Sequence, residues 1–372
     1  MSTGYVWHEL YGWHDTGTAA GLLAPDPMVG IQPGEPLEHP DAKRRMHELV
    51  VVSGLADQLR MLRPRPVTDD EILRVHTPAH LQRLVELSAD PRGGDAGDGG
   101  SPFGRNGLHI ARLAAGGTLV AVEAVVTGEV DNAYALVRPP GHHALPDQGM
   151  GFCQLANVAI AVRHVWQVHG VGRIAVVDWD VHHGNGTQEA FADDADVLCV
   201  SIHQDGLYPP GSGPSDDRGR GAGEGSTLNL PLPPGCGHGA YEAVMAEVVV
   251  PALRRFRPEL ILVACGYDAG AYDPLGRQML TAGGFAHLTR TIMDVAAEVC
   301  DGRVAMAHEG GYSPSYVPFC GLKVLETLSG HETGITDPLG PRLMEVGGQS
   351  LQPHQQAAIS ELASLVKGVP AP

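Results

Sequence analysis

The sequence of 372 residues has little positive charge and no closely paired cysteines. It contains 25 lysines and arginines against 43 aspartates and glutamates, which gives a formal net charge of −18 at pH 7. This deficit argues against nucleic acid as a direct partner and suits a cationic substrate, although an acidic surface that serves only solubility is an equally good interpretation. The six cysteines form no CxxC pair, so we interpret them as reduced thiols.

Targeting and membrane-spanning segments are also missing from the sequence as we interpret it. The N-terminus, MSTGYVWHELYGWHDTG, has no basic stretch followed by an apolar one, and we expect no apolar run of membrane-spanning length. We therefore expect a cytoplasmic protein without a membrane partner. Its length allows one large domain, residues 1–372, in which residues 331–372 form a closing segment with a last helix near residues 353–366.

Apolar runs rich in β-branched residues alternate with stretches of helical period. The predicted strands are residues 133–137, 173–181, 197–202, 260–266 and 303–311, and the predicted helices between them are residues 108–126, 155–170, 240–256 and 284–299. This alternation predicts an α/β fold with a mainly parallel sheet that is flanked by helices on both faces. The irregular segments 89–107 and 203–225 are too long for simple connections, so we expect them to shape the mouth of a site.

One predicted strand ends in an unusual cluster of polar residues, IAVVDWDVHHGNGTQ at positions 174–188. Side chains alternate between the two faces of a strand, so Asp178, Asp180 and His182 would point to the same side. Two carboxylates and an imidazole at the end of a buried strand cost considerable desolvation energy unless a cation or hydrogen-bond donors compensate them. The cluster therefore favours a metal site, although the spacing alone does not prove one.

Three further strands are followed by side chains of catalytic type. The pair His142 and His143 follows a Pro-Pro-Gly turn, Asp268 lies three residues after Cys265, and Tyr312 follows two glycines. Taken singly, such residues are usually turn formers, helix caps or packing groups. Ligands of parallel α/β sheets bind at the carboxyl ends of the strands, so the combination indicates a site. We assign structural roles to the other conspicuous histidines, which are His8, His14, His183 and His203.

The chemistry follows if Asp180, His182 and Asp268 bind one metal ion. Three protein ligands leave a coordination position open, which is typical of catalytic sites. Zn²⁺ suits this ligand set, and Fe²⁺ or Co²⁺ fits nearly as well. His143 or His142 would accept the proton of an attacking water, and Tyr312 would donate a hydrogen bond to the developing oxyanion. The predicted reaction is metal-assisted hydrolysis of an amide.

Five motifs in this order resemble those of the histone deacetylase superfamily. They are RPPGHHA, GFC, DWDVHHGNGTQ, GYDA followed by DPLG, and EGGY, and the resemblance extends from the first residues to about residue 330. The pattern is most similar to that of bacterial class II deacetylase-like amidohydrolases. The resemblance implies an arginase-like α/β fold and a zinc enzyme that removes acetyl or related acyl groups from lysine side chains of proteins or peptides.

The resemblance also implies a role for each catalytic residue. His143 would be the principal general base and acid, oriented by Asn185, and Tyr312 would polarise the carbonyl group. His142 would be the electrostatic partner of His143, and Asp178 would hold His142 in place. Zinc would be bound by Asp180, His182 and Asp268.

Further residues are implied in a second ion site and in substrate binding. A structural potassium ion would take main-chain or side-chain oxygens, which would come from Asp178, Asp180, His182, Ser201 and Ile202. Gly151, Phe152 and Tyr208 would line the tunnel for the acyl-lysine, and Asp98 would contact the substrate backbone at the rim.

Two positions depart from other branches of the superfamily. Asn185 stands where class I members carry an aspartate, so the pKa of His143 would be raised less by negative charge. Leu275, seven residues beyond Asp268, stands where polyamine-selective relatives carry a glutamate, which argues against a free polyamine as the substrate.

Deacetylation of acetylpolyamines or other small acyl-amines is the alternative activity. A catalytically silent acyl-lysine-binding module is another, but it would have no need of Tyr312 and the histidine pair. We expect the long loops at residues 1–36 and 89–107 to pack between subunits and to restrict the tunnel, which suggests a homo-oligomer.

Overall fold

A large parallel β-sheet forms the centre of the computed structural model, which describes residues 1–17 and 23–372. Its strands, and the short β3–β4 hairpin outside it, are β1 (Thr3–Val6), β2 (Arg60–Leu62), β3 (Gly94–Asp95), β4 (Pro102–Phe103), β5 (Asn132–Ala135), β6 (Ile174–Asp178), β7 (Val197–Gln204), β8 (Thr227–Leu232), β9 (Leu260–Cys265) and β10 (Val304–His308). The eight-stranded sheet has the order β2-β1-β5-β10-β9-β6-β7-β8, and every described pairing in it is parallel.

Helices connect the strands and flank the sheet. They are α1 (Asp41–Val52), α2 (Asp69–Ile72), α3 (Pro78–Ala89), α4 (Gly107–Val126), α5 (Asn157–His169), α6 (Asn185–Phe191), α7 (His238–Val244), α8 (Val250–Phe256), α9 (Ala282–Val299), α10 (Val317–Ser329), α11 (Gly340–Glu345) and α12 (Pro353–Ala363). A π-helical turn, Met245–Val249, joins α7 to α8, and short 3₁₀ helices occur at Glu9–Trp13, Leu55–Gln58, Gly221–Gly223 and Ser364–Gly368.

The central strands are covered on both faces. Every residue of β5, β6, β7, β9 and β10 is buried, and successive residues of a strand point to opposite faces, so both faces must be packed. Helix α4 packs against β1, β5, β10 and α5, whereas α9 and α10 pack together and α10 also contacts α1. The predicted α/β fold with a parallel sheet between helices is confirmed.

Helix α4 corrects the expectation that no segment is long and apolar enough to cross a membrane. Among the described residues it is the one helix that meets this test by length and composition. Its sequence is apolar because it is a core helix, and 67% of its most apolar 18-residue stretch is buried inside the protein. Small residues such as Gly116 and Gly117 bring it close to its neighbours, since a side chain at either position would collide with the residue 65 backbone or with Tyr11.

Several element boundaries differ from the sequence-based expectations. The strand predicted over residues 173–181 ends at Asp178, because the Asp178 carboxylate accepts a hydrogen bond from the Asp180 N–H and closes a turn. The N-terminal segment 1–36, expected to be a loop, contains β1 and a 3₁₀ helix, and residues 18–22 of it lie outside the described residues. The predicted last helix is α12, which passes into the 3₁₀ helix Ser364–Gly368.

Candidate active site

The predicted site residues gather at the carboxyl edge of the sheet. Strands β5, β10, β9 and β6 are neighbours there, and the segments that follow them carry the histidine pair, Tyr312, Asp268 and the DWDVHH cluster respectively. Because parallel strands all end at the same edge, four segments that are distant in sequence meet in one place. The structure thus brings together the side chains that the sequence analysis selected separately.

Asp180, His182 and Asp268 form the centre of this cluster. The ring atom Nδ1 of His182 lies 3.0 Å from Asp180 Oδ1 and 3.1 Å from Asp268 Oδ2. All three side chains are buried. They do not converge through strand alternation as predicted, since the strand has already ended, but through the hydrogen-bonded turn after Asp178.

Backbone groups hold the two carboxylates in place. Asp180 Oδ2 accepts a hydrogen bond from the Gly310 N–H at 2.7 Å, and Asp268 Oδ1 accepts one from the Val181 N–H at 2.8 Å. Gly310 must be a glycine here, because a Cβ atom at this position would lie 2.1 Å from Asp268 Oδ2. The segment after β10 is thereby fixed against the carboxylates that the segments after β6 and β9 contribute.

The electrostatics of this cluster call for a cation. Burial lowers the pKa of His182, but its contacts with Asp180 and Asp268 outweigh burial and raise it to about 10. Burial and the neighbouring Asp180 raise the pKa of Asp268 to about 6. Two buried carboxylates around one ring nitrogen are stable only with positive charge between them. One imidazole and two carboxylate ligands fit Zn²⁺ or a similar divalent ion, and these donor atoms all lie within 4.8 Å of one another.

The two histidines after β5 have different partners. His142 Nδ1 donates to Asp178 Oδ2 at 2.9 Å, and His143 Nδ1 lies 2.7 Å from Asn185 Oδ1. Burial lowers the pKa of His142, but the charges of Asp180 and Asp178 raise it to about 10. Burial and the adjacent His142 hold the pKa of His143 well below 6.5. These shifts favour the charged form of His142 and the neutral form of His143.

Tyr312 and His143 line a cavity of about 640 Å³. Burial, followed by the charges of Asp180 and Asp268, holds the pKa of the Tyr312 phenol well above 10, so the hydroxyl keeps its proton. The lining includes the predicted substrate-binding residues Gly151, Phe152, Tyr208, Leu275 and Asp98. It also includes His182, so the proposed metal ligands are reached from this cavity.

The tunnel residues contact one another and the catalytic histidine. The Phe152 ring meets the Tyr312 ring edge to face with centroids 5.7 Å apart, and the Tyr208 ring meets that of His143 at 5.0 Å. Gly151 has φ 54°, and a Cβ there would lie 2.2 Å from His143 Cδ2, so only glycine fits. At the rim, exposed Asp98 accepts a hydrogen bond from the Gly151 N–H at 2.8 Å.

Two carboxylates behind the site were missed in the sequence analysis. Glu309 Oε2 accepts hydrogen bonds from the Gly141 and His142 N–H groups at 2.6 and 3.0 Å. Asp273 accepts from the Leu275 N–H at 2.9 Å and from the Tyr312 N–H at 2.6 Å. Both residues lie inside motifs that were recognised, EGGY and DPLG, so their position beside the predicted site residues was the available signal.

The N-terminal segment lines part of the cavity, as expected for a loop at residues 1–36 that restricts the tunnel, and the lining continues to Glu38. Thr16, Ala24, Pro36 and Glu38 line it. The Glu38 carboxylate accepts two hydrogen bonds from Arg138, at 2.8 and 2.7 Å, and both side chains are buried. Arg138 shortly precedes the histidine pair in the segment after β5, so this ion pair ties the cavity lining to the segment that carries His142 and His143 (the histidine loop).

Of the residues assigned to the potassium site, Asp178, Ser201 and Ile202 lie on the adjacent strands β6 and β7, and Asp180 and His182 follow the end of β6. Ser201 pairs with Asp178 in the β6–β7 ladder, and Ile202 follows it. The Ser201 hydroxyl lies 3.0 Å from His203 Nδ1. The remaining histidines have protein partners that suit structural roles: His183 contacts Ser212, Gln188 and Asn229, His203 contacts Gly213, His8 caps the first 3₁₀ helix, and His14 lies beside Gln154.

Comparison with known proteins decides the family. The family described as histone deacetylase domain matches residues 36–328. The chain belongs to the histone deacetylase family. It is 46% identical to a histone deacetylase-like amidohydrolase of Pseudomonas aeruginosa, over 97% of this chain and 95% of that protein. It is 36% identical to a probable deacetylase of Archaeoglobus fulgidus, over 91% of this chain and 89% of that protein.

Fold comparison gives the same result. The crystal structure of the HDA15 HD domain superposes with a TM-score of 0.84 at 29% sequence identity, covering 98% of this chain and 96% of that one. The predicted deacetylase-like fold and the superfamily resemblance are confirmed. As a member of this family of deacetylases and amidohydrolases, the chain is a hydrolase that acts on amides.

Proposed function

We propose that this chain is a zinc-dependent deacylase that removes acetyl or related acyl groups from lysine side chains of proteins or peptides. The observation that carries the proposal is the convergence of Asp180, His182 and Asp268, together with the cavity that His182, His143 and Tyr312 line. The ligand set leaves coordination open for a reactant, as in catalytic zinc sites. The family is zinc-dependent in general, which supports this choice of metal.

Zn²⁺ held by Asp180, His182 and Asp268 would polarise the amide carbonyl and make a water more acidic. His143 would take the proton of that water. Its Nδ1–H donates to Asn185 Oδ1, so the lone pair is left on Nε2, and its lowered pKa keeps the ring neutral near pH 7. After attack, the protonated ring would return this proton to the departing amine.

Tyr312 would stabilise the tetrahedral intermediate from the other side. Its hydroxyl stays protonated because its pKa is held above 10 by burial and by Asp180 and Asp268. A protonated phenol donates a hydrogen bond to the oxygen that gains negative charge. The Asp273 carboxylate, which accepts from the Tyr312 N–H, would fix the position of this donor.

The cavity lining supports an acyl-lysine substrate. The Phe152 and Tyr208 rings lie on the way to His143 and offer apolar contact to the methylene chain of lysine. Half-buried Leu275 adds apolar surface and no countercharge for a distal ammonium. Exposed Asp98 at the rim would accept hydrogen bonds from the substrate backbone. A structural K⁺ at the Asp178–Ser201 strand end remains part of the proposal, on the strength of the resemblance.

Deacetylation of small acyl-amines is the second candidate. The exposed carboxylate of Asp98 at the rim and the net charge of −18 favour a cationic amine. Leu275 counts against it, because it cannot offset the lost hydration of an ammonium group at the mouth.

The test compares turnover of a fluorogenic acetyl-lysine peptide and of an acetylpolyamine by the same preparation. Both substrates are assayed with the enzyme as purified, with the enzyme after chelation, and with the chelated enzyme after addition of Zn²⁺, Co²⁺ or Fe²⁺. The proposal expects higher kcat/KM on the peptide, loss on chelation and recovery with metal. Faster polyamine turnover would favour the second candidate, and activity that survives complete metal removal would exclude both.

A further inference from the structure

A second cluster of metal-ligating side chains lies between α4 and α5. Glu123 of α4 approaches both His164 and His169 of α5. Glu123 Oε1 lies 3.3 Å from His164 Nε2 and 2.9 Å from His169 Nε2. Tetrahedral Zn²⁺, with bonds of about 2.0–2.2 Å to these atom types, places its ligand atoms roughly 3.3 Å apart. Both separations are close to this value, and the ligand atoms of the three residues all lie within 4.8 Å of one another.

The surroundings of His164 suit a metal ligand. Its other ring nitrogen, Nδ1, lies 3.2 Å from Glu71 Oε1 and 3.1 Å from Arg74 Nη1. A ring whose Nε2 binds a cation carries hydrogen on Nδ1 and donates to Glu71, the carboxylate–histidine–metal arrangement of many zinc sites. A ring that donates from Nε2 to Glu123 accepts from Arg74 instead. The two neighbours thus provide a partner for either tautomer.

Glu71 is itself fixed. Arg65 donates to both of its carboxylate oxygens at 2.8 and 2.6 Å, and the Thr68 N–H donates to it at 2.8 Å. The cluster is also accessible, because His164 is 8% exposed but His169 and Glu123 are 23% and 34% exposed. Solvent can therefore supply both the ion and its remaining ligands.

The cluster is separate from the active site. Helix α5 crosses from the carboxyl edge of the sheet, where Asn157 donates to the Pro139 carbonyl, to the amino edge, where His169 ends it. The twelve steps from Asn157 to His169 span about 18 Å. An ion bound here would not touch the catalytic residues.

We propose that Glu123, His164 and His169 form a second site for a divalent transition ion, Zn²⁺ or Co²⁺ in chemical class, that clamps the end of α4 to the end of α5. Two imidazoles and one carboxylate with open positions are a set that such ions bind. Ion binding to the native state alone would stabilise the fold.

Metal stoichiometry at micromolar free Zn²⁺, measured by equilibrium dialysis and elemental analysis, tests this. We expect two ions per chain in wild type, one in His169→Ala, one in His182→Ala and none in the double variant. His331→Ala, which removes an exposed histidine elsewhere, should match wild type. Glu123→Gln keeps a hydrogen-bond acceptor and should still lose the second ion.

The double comparison separates this site from the catalytic one. If His182→Ala binds an ion that His169→Ala/His182→Ala does not, the second site exists whether or not the proposed deacylase activity is found. In His182→Ala, added Zn²⁺ should raise the unfolding midpoint, and in the double variant it should not. Two results would each overturn the proposed second site. One is a His169→Ala variant that still binds two ions per chain, and the other is an unfolding midpoint of His182→Ala that does not change when Zn²⁺ is added. Activity of His169→Ala on acetyl-lysine peptide should equal that of wild type.

Discussion

Individual side chains of the active site divide into those that face the cavity and those that hold them from behind. His143 and Tyr312 face the cavity, whereas Asn185 binds the far side of the His143 ring and Asp273 binds the Tyr312 backbone. Groups of the first kind should affect kcat through contact with the reacting atoms. Asn185 and Asp273 should affect kcat only by holding His143 and Tyr312 in position.

At the residue scale, Tyr312→Phe removes one hydrogen-bond donor without changing the shape of the cavity. We expect kcat to fall by on the order of 100-fold, as for loss of an oxyanion-hole donor. Affinity for an uncleaved substrate analogue should change much less, because the donor acts on charge that develops only in the transition state. Steady-state kinetics beside a binding titration check this. A kcat within a few-fold of wild type would reduce the phenol to a packing group.

Leu275→Glu places a carboxylate at the cavity lining. We expect kcat/KM for acetylpolyamines to rise relative to a neutral acetyl-lysine peptide, by roughly 1 kcal/mol or less at a hydrated rim. Added salt should shrink the gain. The assay compares both substrates in both proteins at low and high ionic strength, with Leu275→Gln as a control of similar size. If Glu and Gln behave alike, charge at this position does not select the substrate.

At the scale of elements, the site depends on segments that follow neighbouring strands, and this much was predictable. Motif residues after four apolar runs selected the proposed metal ligands, the histidine pair and the tyrosine, because strand ends in parallel sheets meet at one edge. The turn that ends β6 at Asp178 was not predicted, since it depends on a hydrogen bond from the Asp180 N–H to the Asp178 side chain. Nor were β1, β2 and β8, which are short or contain glycine or proline.

Contacts between loops were the least predictable part of the site. Asp273 joins the segment after β9 to the one after β10, and Glu309 joins the segment after β10 to the histidine loop. A sequence shows which residues end each strand but not which backbone N–H groups a carboxylate will meet. The loop at residues 1–36 was expected to restrict the tunnel, but the individual lining residues Thr16 and Glu38 could not be chosen, because they are far from every motif.

Asp273→Asn tests the coupling between these loops. Asparagine keeps one acceptor but turns an NH₂ group toward a backbone N–H, so the hold on either Leu275 or Tyr312 is lost. We expect kcat to fall about 10-fold with metal content unchanged, as for a displaced transition-state donor. In Tyr312→Phe, the same change should have little further effect. Asp301→Asn, at an exposed position, is the control. Additive losses in the double variant would mean that Asp273 acts elsewhere.

At the scale of the whole molecule, buried neutral histidines make the fold sensitive to acid. Burial, with Arg138 nearby, lowers the pKa of His14 to about 3, and burial, with His80 nearby, lowers that of His76 to about 3. His76 donates from Nδ1 to the Leu145 carbonyl and accepts at Nε2 from the Ala156 N–H, so a proton on Nε2 would break the second bond. The unfolded chain, with histidine pKa near 6.5, therefore binds more protons than the native state below that pH.

The sign of the resulting pH dependence is fixed. The contribution of these histidines to the free energy of unfolding is fully present above pH ~6.5 and is lost as the pH falls toward 3. At pH 5 the loss is on the order of 2 kcal/mol per histidine. His76→Gln, which offers a donor and an acceptor but does not titrate, should lose less stability between pH 7 and pH 5. Urea unfolding of both proteins at the two pH values measures the difference. Equal losses would mean that His76 does not contribute.

The most direct test of the central claim is the metal content and turnover of His182→Ala. The ring of His182 lies between Asp180 and Asp268 and is the one imidazole in the ligand set that we propose for the catalytic ion. We expect the variant to lose one ion per chain relative to wild type and to lose turnover of acetyl-lysine peptide with it, whatever ion Glu123, His164 and His169 hold. Wild-type metal content by elemental analysis, or turnover that survives the substitution, would contradict the account.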